Sequence, residues 1–259
     1  MSAATAPPLG TLLRDWRQRR RLSQLDLALE AGVSARHLSF LETGRSKPSR
    51  EMVLHLSDQL DVPLRDRNRL LLAAGFAPAF EERPIDAPEM APVREALDRV
   101  LTGHEPYPAV VVDRWWNLAA ANRSIAMFTA DVPAELMEPP VNVLRVSLHP
   151  DGMASRILNY GEWRAHLLDR LKRQVTLTAD EQLAALHDEI SGYPGETAEV
   201  HGPGGEIAVP LRWDAGGREL RFFSTIATFG TAVDITLAEL AIEAFFPADQ
   251  ATADYLRGD

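Results

Sequence analysis

Two domains of different class are predicted: an all-α bundle of five helices, then an α+β domain built on an antiparallel sheet. Three observations carry this. Apolar residues recur at helical spacing from Leu9 to Leu72, whereas β-branched runs and strict alternation begin only at Ala109. Between them, residues 77–91 hold Pro78, Pro84 and Pro88 with little periodicity. That reads as a semi-stiff linker, because proline neither continues a helix nor donates to a sheet. Charge changes at the same place: up to Ile85 there are 13 Lys and Arg against 10 Asp and Glu, and beyond it 14 against 27. The expected domains are residues 1–76 and 92–259, two cores that a chain of 259 residues with 46% hydrophobic content can fill.

Residues 23 to 44, SQLDLALEAGVSARHLSFLETG, have the register of a helix–turn–helix. The Ser23 hydroxyl can cap a helix opened by Gln24. Ala28 is small enough for another helix to cross closely. Gly32 sits where the chain turns with positive φ, which carries no steric penalty without a Cβ. Val33 buries the turn, Ser34 caps the second helix, and Leu38 and Leu41 form its inward face at i, i+3 spacing. What that helix leaves outward is Ala35, Arg36, His37, Ser39 and Phe40, a tip able to reach base edges in a major groove. Arg36 is the best base reader, since Arg pairs bidentately with guanine. Helical hairpins that touch no nucleic acid share this turn chemistry. The adjoining Thr43-Gly44-Arg45-Ser46-Lys47-Pro48-Ser49 argues for DNA. Gln24, Arg45, Lys47 and Ser49 would position a phosphate backbone without reading sequence.

The flanks complete the bundle. Leu9, Leu12, Leu13 and Trp16 form one stripe of a first helix, which ends in Arg17-Gln18-Arg19-Arg20-Arg21. Cations suit a helix C-terminus, and some of this run is expected to face phosphate. A fourth helix starts at Ser49 with Met52, Val53, Leu56 and Leu60 inward. Pro63 opens a fifth through Leu70, Leu71 and Leu72, stopped at Gly75.

The net charge of −10 thus hides a mildly basic head on a strongly acidic body. Such a body disfavours a second nucleic-acid surface and anionic membranes, so DNA binding would rest on the head and weaken with salt. The chain has no cysteine, which excludes disulfides and thiolate metal sites. No secretory segment or bilayer-length apolar run is read, so a cytoplasmic location is expected. His149-Pro150-Asp151-Gly152 and Gly202-Pro203-Gly204-Gly205 read as turns rather than a catalytic or phosphate-binding site. No catalytic residue, metal or cofactor is expected.

In the second domain Val93, Leu97, Val100 and Leu101 mark an amphipathic helix. Ala109 to Asp113 is a buried strand, Trp115-Trp116-Asn117 a turn, and Leu118 to Ala121 a second strand. Asn122 can cap the helix that follows. Tyr160 to Gln174 and Thr178 to Ile190 are helical, the latter opening with a Thr178 to Glu181 capping box. Glu206 to Trp213 alternates, Asp214-Ala215-Gly216-Gly217 turns it into Glu219 to Phe229, and Glu239 to Phe246 is a third antiparallel strand. Helices are expected on one face of the sheet. This element order is PAS-like.

The stretch Glu42-Thr43-Gly44-Arg45 resembles that of phage-repressor and Xre-family regulators, which implies a lambda-repressor-like five-helix domain. LETGRSKPSREMVLHLSDQLDVPLRDRNRLLLAAGFAP, YPAVVVDRWWNLAAAN, SLHPDG and IEAFFPAD together resemble Xre regulators that carry an MmyB-like ligand-binding domain. This resemblance covers nearly the whole chain. It implies a bacterial transcription regulator whose PAS-like domain holds a small apolar effector, fatty-acid-like in that family. Composition and spacing alone give no fatty acid.

Such an effector needs a mostly apolar cavity with one or two polar groups for its head. Trp116, Phe128, Leu144, Leu148, Trp163, Phe222 and Ile226 are wall candidates, although such side chains more often serve as plain core. A carboxylate head calls for a guanidinium fork; Arg145, Arg156 and Arg164 are at hand, and Arg145 is preferred. Two rivals make different demands. A domain that only dimerises would be packed solid, and an enzyme fused to a DNA-binding head would converge polar groups on its cavity. A homodimer is expected, since two-fold operators match two-fold dimers about one turn, roughly 34 Å, apart.

The head's contacts separate in a binding assay. Arg36→Ala is expected to lose sequence discrimination, whereas Lys47→Ala weakens all DNA alike and lowers the salt slope by about one. Unchanged affinity and site preference in Arg36→Ala would place the recognition helix elsewhere.

Overall fold

The computed structural model describes residues 7–196 and 209–258. The predicted Gly202–Gly205 turn and the start of the strand expected from Glu206 lie outside the described residues. The chain divides into two compact units, Met1–Arg83 with Thr231–Ala238, and Pro84–Gly230 with Glu239–Asp259.

Five helices build the first unit: α1 (Leu9–Arg19), α2 (Gln24–Glu30), α3 (Ala35–Glu42), α4 (Arg50–Gln59) and α5 (Leu64–Ala73). Their starts follow the expected caps. The Ser23, Ser34 and Ser49 hydroxyls accept from the backbone N–H groups of Asp26, His37 and Met52. Asp26 returns a bond to the Ser23 N–H, completing a capping box. Gly32 turns the chain at φ +63°. Leu13, Trp16, Leu27, Leu38, Leu41, Leu56 and Leu70 are buried together, while Leu72 is exposed.

Two features of this bundle are not anticipated by periodicity. Gly10 of α1 lies against the C-terminal end of α3. A Cβ there would overlap the Glu42 carbonyl oxygen and come within 2.8 Å of that of Leu41. The Glu42 side chain is itself buried. Arg17 Nε and Nη2 donate to its two oxygens at 2.7 and 2.9 Å, and Gln24 Nε2 donates at 2.8 Å. Arg14 Nε stands 3.5 Å away, and Arg17 Nη1 donates to the Leu22 carbonyl at 2.8 Å. Burial raises the proton affinity of Glu42, but the Arg17 and Gln24 hydrogen bonds and the guanidinium charges outweigh it and hold it below the usual carboxylate range. The basic run at the end of α1 is therefore partly structural: Arg17 is buried, and Arg20 donates to the Leu60 and Asp61 carbonyls.

The chain after α5 is an ordered arm up to Arg83. Asn68 accepts from the Ala79 and Phe80 N–H groups and donates to the Phe80 carbonyl. Glu81 forms a parallel bridge with Asp234, the Ile235 N–H donates to the Glu81 carbonyl at 2.8 Å, and Arg83 pairs with Asp234 at 3.0 Å.

The second unit is built on five antiparallel strands in the order β2-β1-β5-β4-β3. They are β1 (Ala109–Val112), β2 (Leu118–Ala121), β3 (Leu211–Asp214), β4 (Glu219–Thr228) and β5 (Ala241–Pro247). Around them lie α6 (Ala91–Gly103), α7 (Ala126–Thr129), α8 (Val143–Leu148), α9 (Tyr160–Thr178), α10 (Glu181–Ser191) and α12 (Gln250–Arg257). A short helix, α11 (Ile235–Glu239), precedes β5. Among the described residues no helix is long and apolar enough to cross a membrane.

Several local expectations are corrected. Apolar cover lies on both faces of the sheet, because every residue of β1 is buried. Val110 and Val112 pack with Trp163, Leu167 and Trp213, whereas Ala109 and Val111 pack with Leu97 and Leu101 of α6. Val100 of α6 is exposed. Asn122 caps no helix with its side chain. Its Oδ1 accepts from the Ala109 N–H, and its Nδ2 donates to the Tyr107 and Leu101 carbonyls, so it ties β1 to α6. Thr178 ends α9; the chain breaks at Ala179 (φ +51°), and Asp180 caps α10 by accepting from the Gln182 and Leu183 N–H groups. Glu239 ends α11 rather than starting β5.

Both unexpected contacts in the bundle can be tested by unfolding. Gly10→Ala is expected to lower stability by roughly 1–3 kcal/mol through overpacking, read as a lower denaturant midpoint. An unchanged midpoint would mean that α1 and α3 separate freely. Glu42 holds its proton less tightly in the folded chain than in the unfolded one, where about 4.3 is ordinary. Its stabilisation is therefore present above that value and lost as pH falls through the lower folded one. The stability gap between the natural chain and Glu42→Gln should be widest near neutrality and close in acid; a gap independent of pH would contradict the charged pairing.

Candidate functional site

The outward face of α3 carries the predicted readers. Arg36 is exposed, and Ala35, His37, Ser39 and Phe40 are half-buried beside it. Phe40 organises the cations: the Arg36 and Arg45 guanidinium carbons lie 5.3 and 5.9 Å from its ring centre. The Phe40 carbonyl also accepts from the Arg45 and Ser46 N–H groups at 2.8 and 3.2 Å, fixing the loop that follows the helix. Arg45 and Lys47 extend into solvent from that loop. The other two backbone-positioning candidates have structural duties as well. The Ser49 hydroxyl caps α4, and the Gln24 amide holds Glu42, which locks α2 to α3. Helix α3 thus offers a guanidinium and small polar groups at its tip, with two further cations on the loop. That arrangement suits base edges flanked by phosphates.

In the second unit a cavity of about 90 Å³ opens within the main core, room for several water molecules or a short alkyl chain. Val110 of β1, Leu118 of β2 and Phe245 of β5 form its sheet side; Phe128 of α7, Leu144 and Val146 of α8, and Trp163 and Leu167 of α9 form its helical side. Met137, Val141 and Met153 close it from the connecting segments. Phe128 is held edge-on to Trp213, Phe222 and Phe245 at centroid distances of 5.1, 5.4 and 5.4 Å. Trp163 Nε1 donates to Ser147 Oγ at 3.1 Å, which satisfies the two polar groups of that wall together.

Of the predicted wall, Phe128, Leu144 and Trp163 line this space. Trp116, Leu148 and Phe222 are buried in the surrounding core but do not line it. Trp116 instead turns the chain at φ +68° and donates from Nε1 to Gln174 at 2.9 Å. Two candidates stand apart from the cavity. Ile226 is 43% exposed on β4. Arg145 sits at the surface, paired with Glu189 through two bonds of 2.7 Å. The Arg145 hydrogen bond holds Glu189 down at about 2, while burial and Glu189 push Tyr193 up to about 12. This cluster ties α8 to α10. Arg156 pairs with Asp131, and Arg164 donates to the Ser191, Tyr193 and Gly195 carbonyls.

The charged group that sequence reading misses is Glu243 of β5, buried on the cavity wall and paired with Arg170 at 3.2 Å. Its signal was present: one carboxylate inside the otherwise apolar Ala241-Ile242-Glu243-Ala244-Phe245-Phe246. The Arg170 guanidinium lies 4.2 Å from the Trp116 ring centre. Burial, then the Arg170 charge, pushes His166 below the usual imidazole range, against a smaller pull from Glu243.

Comparison with known proteins matches residues 13–66 to a helix-turn-helix family and residues 93–258 to the MmyB-like transcription regulator ligand binding domain. The chain is also similar to the uncharacterized HTH-type transcriptional regulator RghRB of Bacillus subtilis (strain 168). The two are 32% identical over 115 residues, 43% of this chain and 81% of the relative. With the second unit matched almost from end to end and a helix–turn–helix ahead of it, the chain belongs to the MmyB-like transcription regulators.

Proposed function

We propose that this regulator reads a specific operator with Ala35, Arg36, His37, Ser39 and Phe40 of α3, held in register on the phosphates by Gln24, Arg45, Lys47 and Ser49. Its ligand-binding domain takes a small, apolar, fatty-acid-like effector, and the regulator acts as a homodimer on two half-sites. The observation that carries the effector reading is the cavity, whose wall is apolar apart from Ser147, Thr129 and Glu243 among the described residues. A domain kept only for dimerisation has no use for such a space, and an enzyme would gather several polar groups around it.

Switching follows from the path of the chain. β5 places Glu243 and Phe245 on the cavity wall, and the residues just before it, Thr231–Ala238, cluster with the DNA-binding unit. An effector that prefers one position of β5 would thereby bias the other unit, by no more than its differential affinity for the two states.

The test is to denature the purified chain, extract it and identify co-purified small molecules by mass spectrometry. A stoichiometric amphiphile is expected, and adding it back should change operator affinity. An empty extract together with operator affinity indifferent to added amphiphiles would favour a domain that only dimerises.

A further inference from the structure

Glu243 is the one charged residue lining the cavity among the described residues, and it is 5% exposed. A carboxylate in such a place must be held by partners, and Arg170 Nη1 supplies one at 3.2 Å. Arg170 is in turn stacked over Trp116. The pair is thus neutral as a whole, but what it presents to the cavity is its acceptor half. The polar lining otherwise consists of Thr129 and Ser147, and the Ser147 hydroxyl already accepts from Trp163. An ionised carboxylate arriving here meets a like charge in a poorly screened site, whereas a hydroxyl arrives as a donor to a waiting acceptor.

We infer that the effector's head is uncharged and donates a hydrogen bond, a hydroxyl at the end of an alkyl chain, and that Glu243 is the residue that selects it. This rests on the effector reading above and changes its head group, not its apolar chain. Arg170 is a positioning residue: it holds the carboxylate and does not itself line the space. The competing arrangement is a carboxylate head drawn by Arg170, whose Nη2 is buried and has no acceptor among the described residues.

The experiment titrates the full chain at neutral pH with octan-1-ol and with octanoate, followed by tryptophan fluorescence, Trp163 being on the wall, and by calorimetry. Octan-1-ol is expected to bind roughly tenfold tighter or more, the worth of a hydrogen bond to a charged group. Glu243→Gln, which keeps shape but leaves the Arg170 charge unopposed, should reverse the order in favour of octanoate. Octanoate binding the natural chain as tightly as the alcohol overturns the head assignment, and needs no variant to be seen. So does a ratio unchanged in Glu243→Gln whose thermal melting shows it folded. Neither compound binding overturns the effector reading itself.

Discussion

A carboxylate taken out of water has to be neutralised where it stands, and in the first unit that carboxylate is Glu42, at the last turn of α3. Its partners come from elsewhere: Arg17 and Arg14 from α1, Gln24 from the start of α2. One side chain therefore sets the position of α3 against both neighbours. Gly10 allows it, since only a residue without Cβ lets α1 approach the backbone at that end of α3. Arg36 and Phe40 are carried on a helix fixed at its C-terminal end, and Arg45 on the loop that follows it.

The two units treat buried charge differently. Around Glu42 both oxygens are occupied and Arg17 has acceptors for its Nε, Nη1 and Nη2. A network satisfied in this way rigidifies its surroundings. Around Glu243 the network is incomplete, with a buried Arg170 nitrogen lacking an acceptor and an adjacent space unfilled by side chains. Protein interiors are ordinarily close-packed, so a cavity beside a half-satisfied ion pair is a departure from that rule.

The first unit was largely legible in the sequence because its information is local. Ser23, Ser34 and Ser49 cap the helices expected of them, and Gly32 makes its turn. What escaped there was long-range: that Arg17 and Arg20 serve the fold, and that Gly10 meets Glu42. In the second unit the strand pattern was readable to within a few residues, but side-chain duties were not. Asn122 and Thr178 carry capping residue types in capping places, yet the first is spent on β1 and α6, and the second closes the helix before. The cavity was legible only in Phe128, Leu144 and Trp163, since its wall is assembled from segments far apart in the chain. Ile226 lies on the same face of β4 as buried Leu220 and Phe222 but on the end of the strand that the core does not cover, and Arg145 is claimed by a surface carboxylate, Glu189.

The segment Thr231–Ala238 has a consequence for how the chain is made. Domains usually fold as units during synthesis, the N-terminal one first. Here the five helices and their core are complete within the first third of the chain, but the arm at Glu81 and Arg83 must wait for Asp234 and Ile235. On a ribosome that wait lasts while some 150 residues are added, as the Arg83–Asp234 pair spans 151 positions. A nascent or truncated chain therefore carries a head with folded helices and an arm still lacking its clasp, and a cut after Arg83 leaves the N-terminal fragment without Thr231–Ala238.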